Sequence, residues 1–170
     1  MTNGSNFYRE DGEYRYTFDV DFYLLVDGTE SDVVFSNSLS FAPEPNASPW
    51  TDLGFALAGS KGDPVLVGIN ELSAGSNVSL NLTNSLEFTF STLIVGFTSV
   101  NIPFRGGTLV PSVDLFFTGL PTGPLGEIAL NFSAPADLPP GIEVFVQHWI
   151  SDPAGPEGLA ASNALTTTSK

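Results

Sequence analysis

Cysteine is absent from this 170-residue chain, so no disulfide framework or thiolate metal site contributes to it. Positive charge is almost absent. Five Lys and Arg residues face nineteen acids, for a formal net charge of −14. Phosphate backbones are bound through a basic footprint, which excludes nucleic acid as a partner. Anionic membrane surfaces are disfavoured by the same repulsion. No apolar run approaches the ~20 residues of a membrane-spanning helix. The first thirty residues also lack a signal-peptide pattern, because their longest apolar stretch, Phe22 to Val26, is too short for an h-region. Taken alone, that absence argues for a cytosolic protein; the expectation is instead that a leader or upstream region was removed and that Met1 restarts the numbering.

Catalytic signatures are equally scarce. There is no Gly-x-Ser-x-Gly elbow, P-loop or dinucleotide fingerprint. The single histidine, His148, lies four residues from Asp152, ~13 Å away along an extended chain, so the two cannot touch without a bend. His148 reads as a strand residue with a local partner. Asp19 and Asp21 share a strand face at a glycosidase-like separation, but a pair side by side on a wet face solvates it. The expectation is a protein without a catalytic site or a resident cofactor.

What is present is β patterning. From Tyr14 to Val26 every even position is apolar (Tyr14, Tyr16, Phe18, Val20, Phe22, Leu24, Val26), and Arg15, Thr17, Asp19 and Asp21 occupy odd ones. A period of two over thirteen residues predicts one long strand, ~44 Å if continuous, that bends between sheets or reaches beyond its own domain. Val33, Phe35, Leu39 and Phe41 follow with one parity, so the two segments read as an antiparallel hairpin with its loop near Asp27–Asp32. Ala42-Pro43-Glu44-Pro45-Asn46 then interrupts pairing.

Further strands are expected near 53–58, 64–70, 77–83, 87–97, 109–118, 126–133, 142–151 and 160–168. Gly- and Pro-rich punctuation separates them. Leu93-Ile94-Val95-Gly96-Phe97 is apolar on both parities and predicts a central strand covered on both faces. No segment reads as a helix; residues 155–165 come closest, and Gly155, Pro156 and Gly158 interrupt them. The predicted fold is all-β: an antiparallel two-sheet sandwich of about ten strands, Ig-like or jelly-roll-like, in a single domain. Residues 1–12 would be a tail, 13–45 a hairpin addition and 50–168 the main module.

Two stretches carry a resemblance. One is Pro103-Phe104-Arg105-Gly106-Gly107-Thr108-Leu109-Val110-Pro111. The other runs from Gln147-His148-Trp149 through Asp152-Pro153-Ala154-Gly155-Pro156 to Ser162-Asn163-Ala164-Leu165. From about residue 50 to 168 the chain resembles an uncharacterised β-rich module at the carboxy-terminal end of many exported proteins of environmental bacteria, planctomycetes among them. The resemblance implies a β fold and an exported location, and it implies no activity. His148 departs from it, where an aromatic or small residue is expected. Read physically, Gly106-Gly107 supplies positive φ or a close backbone approach. Pro103 and Pro111 bracket a turn. Trp149 is a core or inter-sheet aromatic, and Asn163 bonds backbone groups before the last strand.

The remaining candidates are few. Asp27, Glu30 and Asp32 make an oxygen-rich turn, and calcium is the metal it would suit. Five Asn-x-Ser/Thr sequons occur, at Asn3, Asn46, Asn77, Asn81 and Asn131. The functional expectation is an extracellular or cell-surface structural protein without enzymatic activity. It would assemble with copies of itself by donating the strand that carries Tyr14, Tyr16, Phe18, Val20, Phe22 and Leu24. The alternative is a carbohydrate-binding or adhesion module that presents Trp50, Tyr8 and Tyr23 to glycans.

Overall fold

A computed structural model describes strand residues within 6–35 and the whole of residues 48–170. The chain divides into two compact units, Met1–Ala47 and Ser48–Lys170.

In the first unit, β1 (Asn6–Glu10) pairs antiparallel with β2 (Glu13–Thr17), and β3 (Val20–Val26) with β4 (Thr29–Phe35). Each closing pair, Glu10–Glu13 and Val26–Thr29, leaves only an Asp-Gly dipeptide between strands, the sequence favoured in two-residue hairpins. Three expectations change here. Residues 6–10 of the expected tail form a strand. The run from Tyr14 to Val26 contributes two strands to two different hairpins, because periodicity reports the apolar face of a segment and not its pairing partner. The loop expected near Asp27–Asp32 shrinks to two residues, so Glu30 and Asp32 belong to β4, opposite Leu25 and Tyr23. Phe18, Asp19, Asp27, Asn3 and Asn46 lie outside the described residues.

The second unit is an antiparallel sandwich. Its strands are β5 (Thr51–Gly54), β6 (Val65–Ile69), β7 (Asn77–Thr83), β8 (Phe90–Gly96), β9 (Ser99–Phe104), β10 (Gly107–Pro111), β11 (Leu115–Pro121), β12 (Ile128–Ser133), β13 (Glu143–Ser151), β14 (Leu159–Ala161) and β15 (Ala164–Thr168). Among the described residues the only helical turn is a 3₁₀ turn at Pro156–Gly158. One sheet has the order β12-β7-β6. A six-stranded sheet has the order β11-β8-β13-β15-β5, with β14 alongside β13. The all-β antiparallel sandwich is thus as expected, with more and shorter strands.

The main core lies between those sheets. Leu66, Val78, Leu80, Leu82 and Ile128 from one meet Leu93, Val146, Ile150 and Leu165 from the other. β7 shows the alternation directly: Val78, Leu80 and Leu82 are buried while Asn77, Ser79, Asn81 and Thr83 are not. Trp50 closes this core above Gly68, where a Cβ would strike the indole, and its Nε1–H donates to Asn70 O at 3.0 Å. The β9–β10 hairpin adds a partial third layer on the other face of the six-stranded sheet. There Leu109 packs with Ile94, Trp149 and Ala161. β8 is therefore central and two-sided, as its sequence predicts.

β9 is an element the sequence reading lacks. Arg105 (φ +46°) and Gly106 (φ +80°) form the two-residue turn, with Phe104 paired to Gly107. Pro103 and Pro111 lie inside the hairpin strands and do not bracket the turn. In such a hairpin the closing pair is hydrogen bonded, so position 103 turns its missing N–H outward, where an edge strand tolerates proline.

Candidate functional site

The fold brings the two motif stretches together at the β9–β10 hairpin and the face of β13 beneath it. Phe104 meets Trp149 edge to face, with ring centroids 4.9 Å apart. Gly107 passes so close that a Cβ there would lie 3.1 Å from Leu57 Cδ2 and 3.3 Å from Trp149 Cη2. Gly106 rests on Pro156, and Arg105 Nη1 sits 3.4 Å from Glu157 Oε2 at the surface. Gly106 supplies the positive φ (+80°) and Gly107 the close approach, the two uses expected of this pair.

Gln147 is fully buried, and its carboxamide acts like a short piece of strand. Its Oε1 accepts from Val110 N–H at 3.2 Å. Its Nε2 donates to Thr108 O and Ser162 O, both at 3.2 Å, and to Phe55 O at 3.5 Å. Thr108 O and Val110 N–H belong to the side of β10 facing away from β9, so one side chain satisfies that edge. Asn163 does the same for β6. Its Oδ1 accepts from Leu66 N–H at 2.7 Å and its Nδ2 donates to Leu66 O at 3.1 Å. The sequence anticipates Asn163 as a backbone partner. Gln147 escapes it, because nothing in a strand pattern shows that a polar residue faces a second layer.

His148 points to the opposite face of β13, into the sandwich, and is wholly buried. Its Nδ1 lies 2.7 Å from Ser91 Oγ, and Ser91 Oγ lies 3.2 Å from Trp149 O. One arrangement satisfies both contacts: Nδ1–H donates to the hydroxyl, and the hydroxyl donates to the carbonyl. Nε2 then has no partner, like Trp149 Nε1. Burial without a counter-charge pushes the imidazole down to about 4, so it is neutral near pH 7. The backbone on either side is pinned by Ser162, whose Oγ accepts from His148 N–H at 2.9 Å and donates to Asn163 O at 2.8 Å. His148 is thus a strand residue whose side-chain partner, Ser91, comes from the neighbouring strand β8. Ser91 and His148 are sealed from solvent, and Asp152 bonds elsewhere.

Asp152 is buried against Ser60, accepting from Ser60 N–H at 2.7 Å, Ser60 Oγ at 2.5 Å and Ala154 N–H at 3.0 Å. Gly59 leaves room for this carboxylate, since a Cβ there would strike Oδ2. Desolvation pulls its pKa upward. The hydroxyl and amide of Ser60, with the amides of Ala154 and Gly155, pull further in the other direction, so it stays below the usual carboxylate range.

Among the described residues no group of three or more His, Asp or Glu side chains is arranged to hold a metal ion, and no helix is long and apolar enough to cross a membrane. Asn77 and Asn131 share the outer face of β7 and β12. There Ser133 Oγ donates to Asn77 Oδ1 at 2.8 Å, and Ser79 Oγ donates to Asn131 Oδ1. Asn81 is half-buried on the same face. Trp50 is 5% exposed, which removes it from the set of aromatics offered to glycans.

Exposed apolar side chains gather elsewhere, on β8, β9 and β11. Phe90, Ile102, Phe104, Leu115, Phe116 and Phe117 all retain more than a third of their surface. Between Phe104 and the outer face of β8 and β13 lies a groove of about 220 Å³, lined also by Thr92, Ile94, Trp149 and Ser151 and by no charged side chain. No known protein family, curated protein or solved structure matches the chain.

Proposed function

We propose that this chain is a structural protein without enzymatic activity, a β-sandwich subunit that associates with copies of itself outside the cell or at the cell surface. The observation that carries the reading is the set of large apolar side chains exposed on the uncharged strands β8, β9 and β11, among them Phe116 at 63%. Exposed apolar surface of this kind marks interaction sites. The motif residues support the reading because Gln147, His148 and Asn163 are sealed inside the unit and serve its packing. The resemblance to modules of exported bacterial proteins supports the location. Strand donation by the alternating residues Tyr14, Tyr16, Phe18, Val20, Phe22 and Leu24 is one route to assembly. Sedimentation of the full chain over a concentration series tests the reading: growth in mass is expected, and a monomer throughout refutes it. Loss of assemblies on deleting residues 1–45 would assign the donor role to that segment.

A glycan-binding module is the second reading. It is favoured by the groove in which the rings of Phe90 and Phe104 accompany the hydroxyls of Thr92 and Ser151. At about 220 Å³ the groove falls below the ~300 Å³ of a drug-sized site, so it would take a single ring. A glycan array without hits ends this reading.

A further inference from the structure

We infer that β11 is the self-association edge: it pairs antiparallel with β11 of a second copy about a two-fold axis near Phe116. This inference rests on the self-association reading above and names the surface that reading requires.

The edges of the sandwich unit differ in what closes them. The edge of β6 is occupied at Leu66 by the Asn163 carboxamide, and that of β10 by the Gln147 carboxamide. β9 presents Pro103, which has no N–H, next but one to Asn101 at φ +48°, a backbone that departs from an extended strand. Among the described residues β11 has none of these devices over Leu115–Phe117. Among the described strands it pairs only with β8, in regular register, Leu115 opposite Val95, Phe116 opposite Ile94 and Phe117 opposite Leu93. Register shifts only after Phe117, so the regular stretch is short.

Both faces of that stretch are apolar and open. Leu115, Phe116 and Phe117 are 49, 63 and 51% exposed. An exposed, apolar, unprotected edge is a template for another strand. A second copy fits because of charge. Two chains of −14 repel, so they meet where charge is lowest, and Leu115 to Gly126 is twelve residues without a charged side chain. A two-fold axis pairs this uncharged segment with itself, needs no second complementary surface, and continues the six-stranded sheet into its copy.

The full chain is examined by sedimentation beside Phe116→Lys, Phe116→Cys and, as a comparison, Val67→Lys on the outer face of β6, where Val67 is 47% exposed. The dimer is expected to strengthen with salt as repulsion is screened. Phe116→Lys places two like charges at the axis and should weaken dimerisation by at least ~30-fold, while Val67→Lys leaves it unchanged. Phe116→Cys is the sole cysteine of its chain and should form a disulfide-linked dimer on mild oxidation, which keeps the test alive if the lysine variant does not fold. A wild-type dimer that Phe116→Lys leaves intact, or that Phe116→Cys fails to cross-link, overturns the β11 edge while self-association stands. A wild-type chain that stays monomeric overturns both.

Discussion

β6 and β11 are both edge strands of the same sandwich unit, and the chain treats them in opposite ways. At β6 a buried asparagine from the β14–β15 corner gives Leu66 a donor and an acceptor, so its backbone meets neither water nor another chain. At β11 the described residues supply nothing comparable, and three large apolar residues there stay exposed. A closed edge is achieved by one side chain from a distant part of the sequence, and its absence is as local. Edge protection here is a property of single residues and not of overall charge or lysine content.

The contrast breaks most severely if Asn163 is removed. Asn163→Leu leaves the N–H and C=O of Leu66 buried and unpaired, at ~1–3 kcal/mol each, so a loss of about 4 kcal/mol is expected in denaturant unfolding. If stability changes by less than ~1 kcal/mol, water or a shifted backbone has replaced the amide, and the closure described at β6 is wrong.

A smaller effect separates the two sides of β13. Gln147 uses every polar atom, whereas His148 leaves Nε2 unpartnered in the core. The folded imidazole takes up a proton near pH 4 and the unfolded one near 6.5. Below pH 6.5 the unfolded state therefore binds more protons, and stability falls until pH 4. At ~1.4 kcal/mol per pKa unit the full loss is about 3 kcal/mol. His148→Phe should flatten the stability–pH curve in that window, and an unchanged slope would assign it to other groups. Asp152, held below the usual carboxylate range, adds its own loss only at lower pH, as the folded carboxylate takes up its proton.

The least effect is expected at the hairpin tip. The Arg105–Glu157 pair is more than half exposed, so Arg105→Ala should change stability by less than ~0.5 kcal/mol. A larger loss would show that the ion pair, and not the Gly106 contact with Pro156, holds the hairpin down.

Much of the sandwich is legible in the sequence because burial on one face imposes alternation. Val78, Leu80 and Leu82 fix β7 to its residue limits, and the two-sided run Leu93 to Val95 marks the central strand. The failures share a cause. Pro103 and Asn101 carry turn chemistry, yet they sit in β9, whose outer edge needs no donor and tolerates an irregular residue. The alternation from Tyr14 to Val26 is real, but pairing divides it between two hairpins. At the motif junction the sequence shows unusual residues without their partners. Asn163 stands before a last strand and suggests a backbone bond, whereas the four contacts of Gln147 join segments up to ninety-two positions apart.

The two tryptophans of the chain sit on either side of the six-stranded sheet, Trp50 in the main core and Trp149 under the β9–β10 hairpin. One indole donates to a carbonyl and the other has no partner, so their emission should differ. Replacing either with Phe would leave a single fluorophore that watches one layer. Such a pair of proteins could time whether the outer flap peels away before the inner stack melts.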